Sequence, residues 1–192
     1  RRSRRRRGHQ SDLYLRVLKF GGSSLATPDR IRDVVRIVLD EVRREPLIVV
    51  VSAFQGITNQ LIDSARLAEG GDRRYEQEWA SIAKRHRSAI DDLVGPRRGR
   101  RTRVAADALL SELHDALHGI QLLGHCPPQA LDIVASFGER LSALIVAAYV
   151  QTGDVPNCVN VLPASRTPAR AELIVGHHDR VGVLAEVLGA IR

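Results

Sequence analysis

The sequence predicts an α/β fold, a mostly parallel sheet with helices on both faces. Three observations carry this. A strand–loop–helix pattern occurs twice with a helix between, which is the βαβ signature. The run Leu47 to Val51, LIVVV, has no polar alternation, as expected of a central parallel strand covered on both faces. Both strands run into glycine-bearing loops, and in such sheets ligands bind beyond the carboxyl ends of the strands.

The elements follow in order. Leu13 to Phe20 reads as the first strand, rich in Leu and Val. Thr27-Pro28-Asp29 then signals a helix start, with a hydroxyl cap, proline in the first turn and a carboxylate near the positive end. Ile31, Val34, Val35, Val38, Leu39 and Val42 recur three and four apart, so one face packs inward until Pro46. The second strand leads into SAFQGITNQLI and another apolar-periodic helix. A helix is predicted from Asp72 to Val94, with Tyr75, Trp79, Ile82, His86 and Ile90 on one stripe. GPRRGRR reads as an exposed connector, followed by a helix through Leu109, Leu110, Leu113, Leu117 and Ile120. A third long helix spans Gln129 to Val150 and carries Phe137-Gly138-Glu139-Arg140 in an apolar setting. TGDVPN is a turn, Val159 to Leu162 a short strand, and AELIVGHH with DRVGVLAEVLGAIR one more strand and helix.

Composition places the chain among globular proteins, with 44% apolar and 27% charged residues in 192. The net charge of +7 is local: Arg1, Arg2 and Arg4 to Arg7 form one cluster, Arg97, Arg98, Arg100, Arg101 and Arg103 another. The remainder is mildly acidic, and no aromatic interleaving supports base stacking, so specific nucleic-acid recognition is not expected. Cys126 and Cys158 lack CxxC partners, which indicates neither a disulfide framework nor a zinc site. His114 and His118 stand one helical turn apart but have no third ligand, so a solvated face and no metal site are expected, and His177-His178 reads as a surface turn. No signal-peptide core is present and no uninterrupted apolar run reaches the ~20 residues of a bilayer span. A cytoplasmic protein without membrane contact is expected, the alternative being that the arginine-rich, acidic-poor start is a very short organelle transit peptide. Methionine is absent even at position 1, so residue 1 is not expected to be a true start.

The chemistry concentrates at Lys19-Phe20-Gly21-Gly22-Ser23-Ser24. The GxxxxGK[ST] and GxGxxG fingerprints are missing, but the same physical parts are there in another order. A lysine on the buried side of a strand end can meet phosphate oxygens, and successive glycine amides can turn inward as an anion nest. A structural turn is the competing reading.

LKFGGSSL resembles the opening motif of the aspartate kinases, and more broadly of the amino-acid kinase family. VVVSAFQGITNQL is similar to that family's second motif and SFGERLSALIVAAY to its third, the one with a substrate-binding glutamate. The resemblance covers Leu13 to Asn160. It implies the amino-terminal lobe of that fold and ATP-dependent phosphorylation of the side-chain carboxylate of L-aspartate, with Mg2+, opening lysine, threonine and methionine synthesis. It also implies roles. Lys19 stabilises the transferring phosphoryl group, Gly21 and Gly22 donate to it, and Ser52 lines the same pocket. Ser23 lies where phosphate and amino acid meet, Thr58 bonds the aspartate, and Glu139 holds its α-ammonium. The competing readings are a helix-capping hydroxyl for Thr58 and an ion pair with Arg140 or another arginine for Glu139.

The resemblance also implies a second lobe with an Arg-Gly-Gly-Ser-Asp string, which these 192 residues do not contain. The fold is therefore expected to be incomplete and inactive alone. Its divisions are expected at 1–12, an arginine-rich tail; 13–168, the kinase-like lobe with a helical insertion about 72–128; and 169–192, a partial unit. HHDRVGVLAEVLGAIR resembles the start of an ACT regulatory domain, the alternative being the end of the kinase lobe. A non-catalytic amino-acid-binding module and a related kinase for another acid remain as alternatives, and a homo-oligomer is possible within any of them.

Overall fold

The computed structural model describes residues 15–44 and 46–152 of the chain. The arginine-rich tail, the strand expected at Val159 to Leu162, His177-His178 and the ACT-like segment lie outside the described residues. Within them the order is β1 (Arg16–Phe20), a 3-10 turn (Gly22–Leu25), α1 (Pro28–Val42), β2 (Leu47–Val51), α2 (Ile57–Glu69), α3 (Tyr75–Leu93), α4 (Arg100–Leu123) and α5 (Pro128–Thr152).

The strands pair in parallel, Arg16 opposite Leu47 through Phe20 opposite Val51. This is the sheet that the βαβ pattern implies, reduced among the described residues to two strands. Only Leu47 of β2 is buried and the other four residues are half-buried, so the cover on both faces expected of a central strand is not complete here. Along β1 the side chains alternate. Phe20 packs against the core, whereas Lys19 is exposed, which corrects the expectation that its strand buries it.

α1 starts as its sequence dictates. Thr27 is the cap, its hydroxyl accepting from the Arg30 amide at 3.4 Å, Pro28 follows, and Ile31, Val34, Val35 and Val38 are buried. α1 rests on β2, α3 and α5. The remaining helices build the larger core, with α2 touching α3, α4 and α5. Polar ties fix their register: Trp79 Nε1 donates to the Leu110 carbonyl at 2.9 Å, and Gln60 Nε2 to Glu78 at 2.7 Å. Glu69, the last residue of α2, accepts the Cys126 amide at 2.9 Å and so anchors the α4–α5 link.

Two sequence expectations change. Arg100 and Arg101 belong to α4 rather than to a connector. Cations at a helix N-terminus oppose its dipole by up to about 1 kcal/mol each. The buried face of Thr102, Ala106, Leu110, Leu113, Leu117 and Ile120 outweighs that. His114 does not stand on a solvated face. It is half-buried, its Nε2 lies 2.9 Å from Glu76 Oε2, and its ring meets Trp79 edge-on at 4.9 Å. Among the described residues no group of three metal-ligating side chains forms. α5 is long and apolar enough by length and composition to cross a membrane, but here it is a core helix with ten buried residues.

The buried side of α3 holds His86, fully enclosed, with Nδ1 2.7 Å from the Ile82 carbonyl and Nε2 without a partner among the described residues. Burial lowers its pKa from 6.5 to about 4. The neutral ring stacks on Phe54 at 4.9 Å and 7°. A folded pKa below the unfolded one makes protonation favour unfolding. Stability is full above about 6.5 and lost as pH falls towards 4, by at most about 3 kcal/mol. Urea unfolding over that range in the chain and in His86→Phe should show this, the variant having the shallower acid slope. Equal slopes would assign the acid sensitivity to carboxylates.

Candidate functional site

The strand-end loops lie side by side because the strands are parallel and in register. The Ser52 amide donates to the Phe20 carbonyl at 3.0 Å, extending the ladder one residue past β2. Gly21 follows Phe20 in extended backbone, and the chain then tightens into the 3-10 turn, where the Ser24 amide donates to the Gly21 carbonyl at 3.0 Å. A β-carbon on Gly22 would stand 3.0 Å from the Ala53 carbonyl oxygen and 3.5 Å from Gln55 Cα. This glycine is required by proximity, since the two loops touch through their backbones.

α5 closes on the same place. A β-carbon on Gly138 would lie 2.7 Å from Ala53 Cβ, 3.3 Å from Leu61 Cδ1 and 3.4 Å from Ile57 Cγ2. Carbon–carbon contacts sit at ~3.5–4.0 Å. The Ser142 hydroxyl, one turn on, is fully buried, 2.7 Å from the Ser52 carbonyl and 3.0 Å from the Glu139 carbonyl. Its single proton serves the shorter contact. α5 is thereby bonded to the β2 loop beside the glutamate.

The sequence-predicted residues fall as follows. Lys19 is the next-to-last residue of β1 and is exposed; Gly21 and Gly22 open the turn; Ser23, exposed, offers its carbonyl to Arg30 at 3.3 Å. Ser52 is the first residue after β2 and Thr58 the second of α2, beside the Ile57 that meets Gly138. Thr58 is not a cap: that position is Gly56, at φ 84°, and no side-chain bond caps α2. Glu139 is half-buried at the junction. Arg140 pairs with Glu112 at 3.0 Å and covers the Phe137 ring at 4.6 Å. Backbone contacts thus bring the Gly22, Ser52 and Glu139 segments together, with the start of α2 alongside.

Sequence reasoning missed three contributors. Gly138 and Ser142 lay inside a quoted motif, but their roles depend on contacts about 85–90 positions away in sequence. Arg85 of α3 donates Nη1 to the Gln55 carbonyl at 2.7 Å and Nη2 to the Ala26 carbonyl at 3.2 Å, strapping both loops from behind. No local pattern announces such a strap. By residue type, a lysine cation and glycine amides suit an anionic group, and a glutamate suits an ammonium.

The comparisons agree with that architecture. The amino acid kinase family profile matches residues 15–180, and the chain belongs to that family. It is 34% identical over 140 residues to the chloroplastic aspartokinase 1 of Arabidopsis thaliana, covering 71% of this chain and 23% of that protein. It is 29% identical over 140 residues to the chloroplastic bifunctional aspartokinase/homoserine dehydrogenase 2 of Zea mays, covering 73% and 15%. Among solved structures, E. coli aspartokinase III in complex with aspartate and ADP superposes with a TM-score of 0.64 at 28% identity, over 74% of this chain and 30% of that one. The chain therefore spans between 15% and 30% of the length of these relatives.

Gly138→Ala separates two opposing effects. Alanine gains about 1 kcal/mol over glycine in a helix interior. Overpacking costs about 1–3 kcal/mol, and the 2.7 Å approach to Ala53 makes the clash dominate. Net destabilisation is expected in denaturant unfolding, with partial recovery in the double variant Gly138→Ala/Ala53→Gly. A stabilised single variant would show that α5 does not need this closeness.

Proposed function

We propose that this chain forms the phosphate- and amino-acid-binding half of an aspartate kinase-type active site, which transfers a phosphoryl group from ATP to the side-chain carboxylate of L-aspartate. The observation that carries this reading is the junction of the two strand-end loops with the glutamate-bearing stretch of α5 through Gly22, Ala53, Gly138 and Ser142. The relative of known structure was solved with aspartate and ADP, which supports nucleotide and aspartate as the ligands.

The roles are those that the family resemblance implies, and the chemistry of the residue types fits them. The aspartate carboxylate is ionised at neutral pH, so the attacking oxygen needs no general base, and catalysis rests on alignment and charge stabilisation. Lys19 supplies a cation at the strand end, while the Gly21 and Gly22 amides and Ser52 border the phosphates. Ser23 and Thr58 contact the amino acid, and Glu139 accepts from its α-ammonium. Nucleotide, when bound, supplies the transferable group and Mg2+ neutralises its charge. The described residues fit the phosphates through Lys19 and the glycine backbone; they form no acidic cluster that would hold the metal by itself. A reducing, cytoplasmic setting and a homo-oligomer belong to the same proposal.

The test is trapping of the acyl phosphate with hydroxylamine in the presence of ATP, Mg2+ and L-aspartate. Without an Arg-Gly-Gly-Ser-Asp string in its 192 residues, the chain alone is expected to give no hydroxamate. A version extended by the adjoining coding sequence of its gene should give it. In that version Lys19→Ala should lower kcat on the order of 100-fold. Glu139→Gln should raise the KM for aspartate about tenfold, the value of one charge-assisted contact. Hydroxamate formation that survives Lys19→Ala would overturn the assignment. Aspartate binding without turnover in the extended version would identify a non-catalytic module instead.

A further inference from the structure

A cavity lies behind the loop junction, on its α3 side. A cleft of about 370 Å3 opens between the segment entering α1 and the face of α3 opposite it. Leu25, Ile31, Phe54 and Ala89, all buried, make its floor. Along its α3 side run Ser81, the adjacent Lys84 and Arg85, Ser88 and Asp92, successive turns three or four residues apart and so on one stripe. The cleft is apolar below and charged at the rim.

The charges at that rim are not balanced locally. Arg87, two residues further on, pairs with Asp107 at 2.8 Å, and Arg103 pairs with Asp91. Among the described residues Arg85 pairs with no carboxylate; it bonds two backbone carbonyls and lies 5.9 Å from the Phe54 ring centroid. Those two bonds leave three of its five N–H donors for another acceptor. Partial burial also pushes its pKa below the usual arginine value, consistent with a cation short of water and counter-ion. Lys84 beside it forms no ion pair among the described residues. Asp92 stands about 10 Å further along α3, so a second negative charge at that end would be repelled.

We propose that this cleft binds a small organic anion with one charged end, a carboxylate or a phosphate monoester, held by Lys84 and Arg85, with its apolar body on Leu25, Ile31 and Phe54. Size fits, since pockets of roughly 300–1,000 Å3 hold small ligands. Apolar surface contributes about 25 cal/mol per Å2, and two cations supply charge-assisted bonds. Occupancy would reach the loop junction through Arg85. The same guanidinium holds the Gln55 and Ala26 carbonyls, and Gln55 Cα lies 3.5 Å from where a Gly22 β-carbon would stand. The binding step does not depend on the kinase reading, and a failed hydroxamate assay leaves it untouched.

The experiment is a titration of the 15N-labelled 192-residue chain, followed by amide chemical shifts. The probes are phenyl phosphate, benzoate, benzyl alcohol and inorganic phosphate. Phenyl phosphate or benzoate should give saturable shifts at the start of α1, along α3 from Lys84 to Asp92, and at Gln55. The better of the two identifies the anionic group. Benzyl alcohol and inorganic phosphate should each bind at least about tenfold more weakly, because one lacks the charge and the other the body. Lys84→Ala, on an exposed side chain that leaves the fold intact, should weaken the better probe about tenfold. Arg85→Lys should weaken it too and remove the shift at Gln55, since a lysine cannot span two carbonyls and an anion. Absence of saturable shifts, equal binding of inorganic phosphate, or unchanged affinity in Lys84→Ala would each overturn the proposal.

Discussion

Ala53 is the point on which the rest of the structure depends. Its carbonyl oxygen meets the Gly22 backbone, its β-carbon meets Gly138, and the residue before it accepts the Ser142 hydroxyl. Three segments far apart in sequence are held at backbone contact because two of them lack a β-carbon and the third has only a methyl group. Larger side chains at any of these positions would push the β1 loop, the β2 loop and α5 apart by an ångström or more. Sites that depend on alignment lose rate steeply over such distances. The small residues are therefore a condition for that alignment, and neither Ala53 nor Gly138 needs to touch a ligand to serve it.

The helices behind this contact hold it in different ways. α2 and α5 do so by burial, with Ile57, Leu61, Leu141 and Ile145 fully enclosed. α3 does so by polar reach, as Arg85 bonds one carbonyl from each loop. A buried hydrocarbon contributes wherever it is covered, about 1.5–3 kcal/mol for a large side chain. A partly buried guanidinium contributes only while its acceptors stay in place. The strap therefore fixes geometry more than stability, and it is the element of the support that a change of charge nearby can move.

Much of the fold was legible because local signals and tertiary demands agree. Thr27-Pro28-Asp29 caps α1 in sequence and in space, and LIVVV is a strand in both. The stripe Tyr75, Ile82, His86, Ile90 is buried as its spacing implies. Where the two disagreed, tertiary packing won: arginines disfavour the start of α4, yet its apolar face holds it helical from Arg100. The site was legible only as a set of reactive types. Lys19 could be named but not its exposure, which depends on which face of β1 the core takes. His114 could be paired with His118 by spacing, but its contact with Glu76 spans 38 positions and leaves no local trace. Gly138, Ser142 and Arg85 act over similar or greater separations.

α5 shows how one helix serves both core and site. Its composition is apolar enough for a membrane span, yet Glu139 and Arg140 interrupt it. Successive residues on a helix point about 100° apart, so the two charges diverge. Arg140 goes outward, to Glu112 on α4 and over Phe137 on its own helix. Gly138, one residue earlier, faces Ala53 at closest approach, which leaves Glu139 at the edge of that contact rather than buried within it. Glu139 thus stays half-buried, without the cost of a fully buried charge, which would run to several kcal/mol. The ten buried residues of α5 keep it there. Helix periodicity and one missing β-carbon are enough to bring the glutamate-bearing stretch of α5 to the strand-end loops while the helix that carries it remains part of the core.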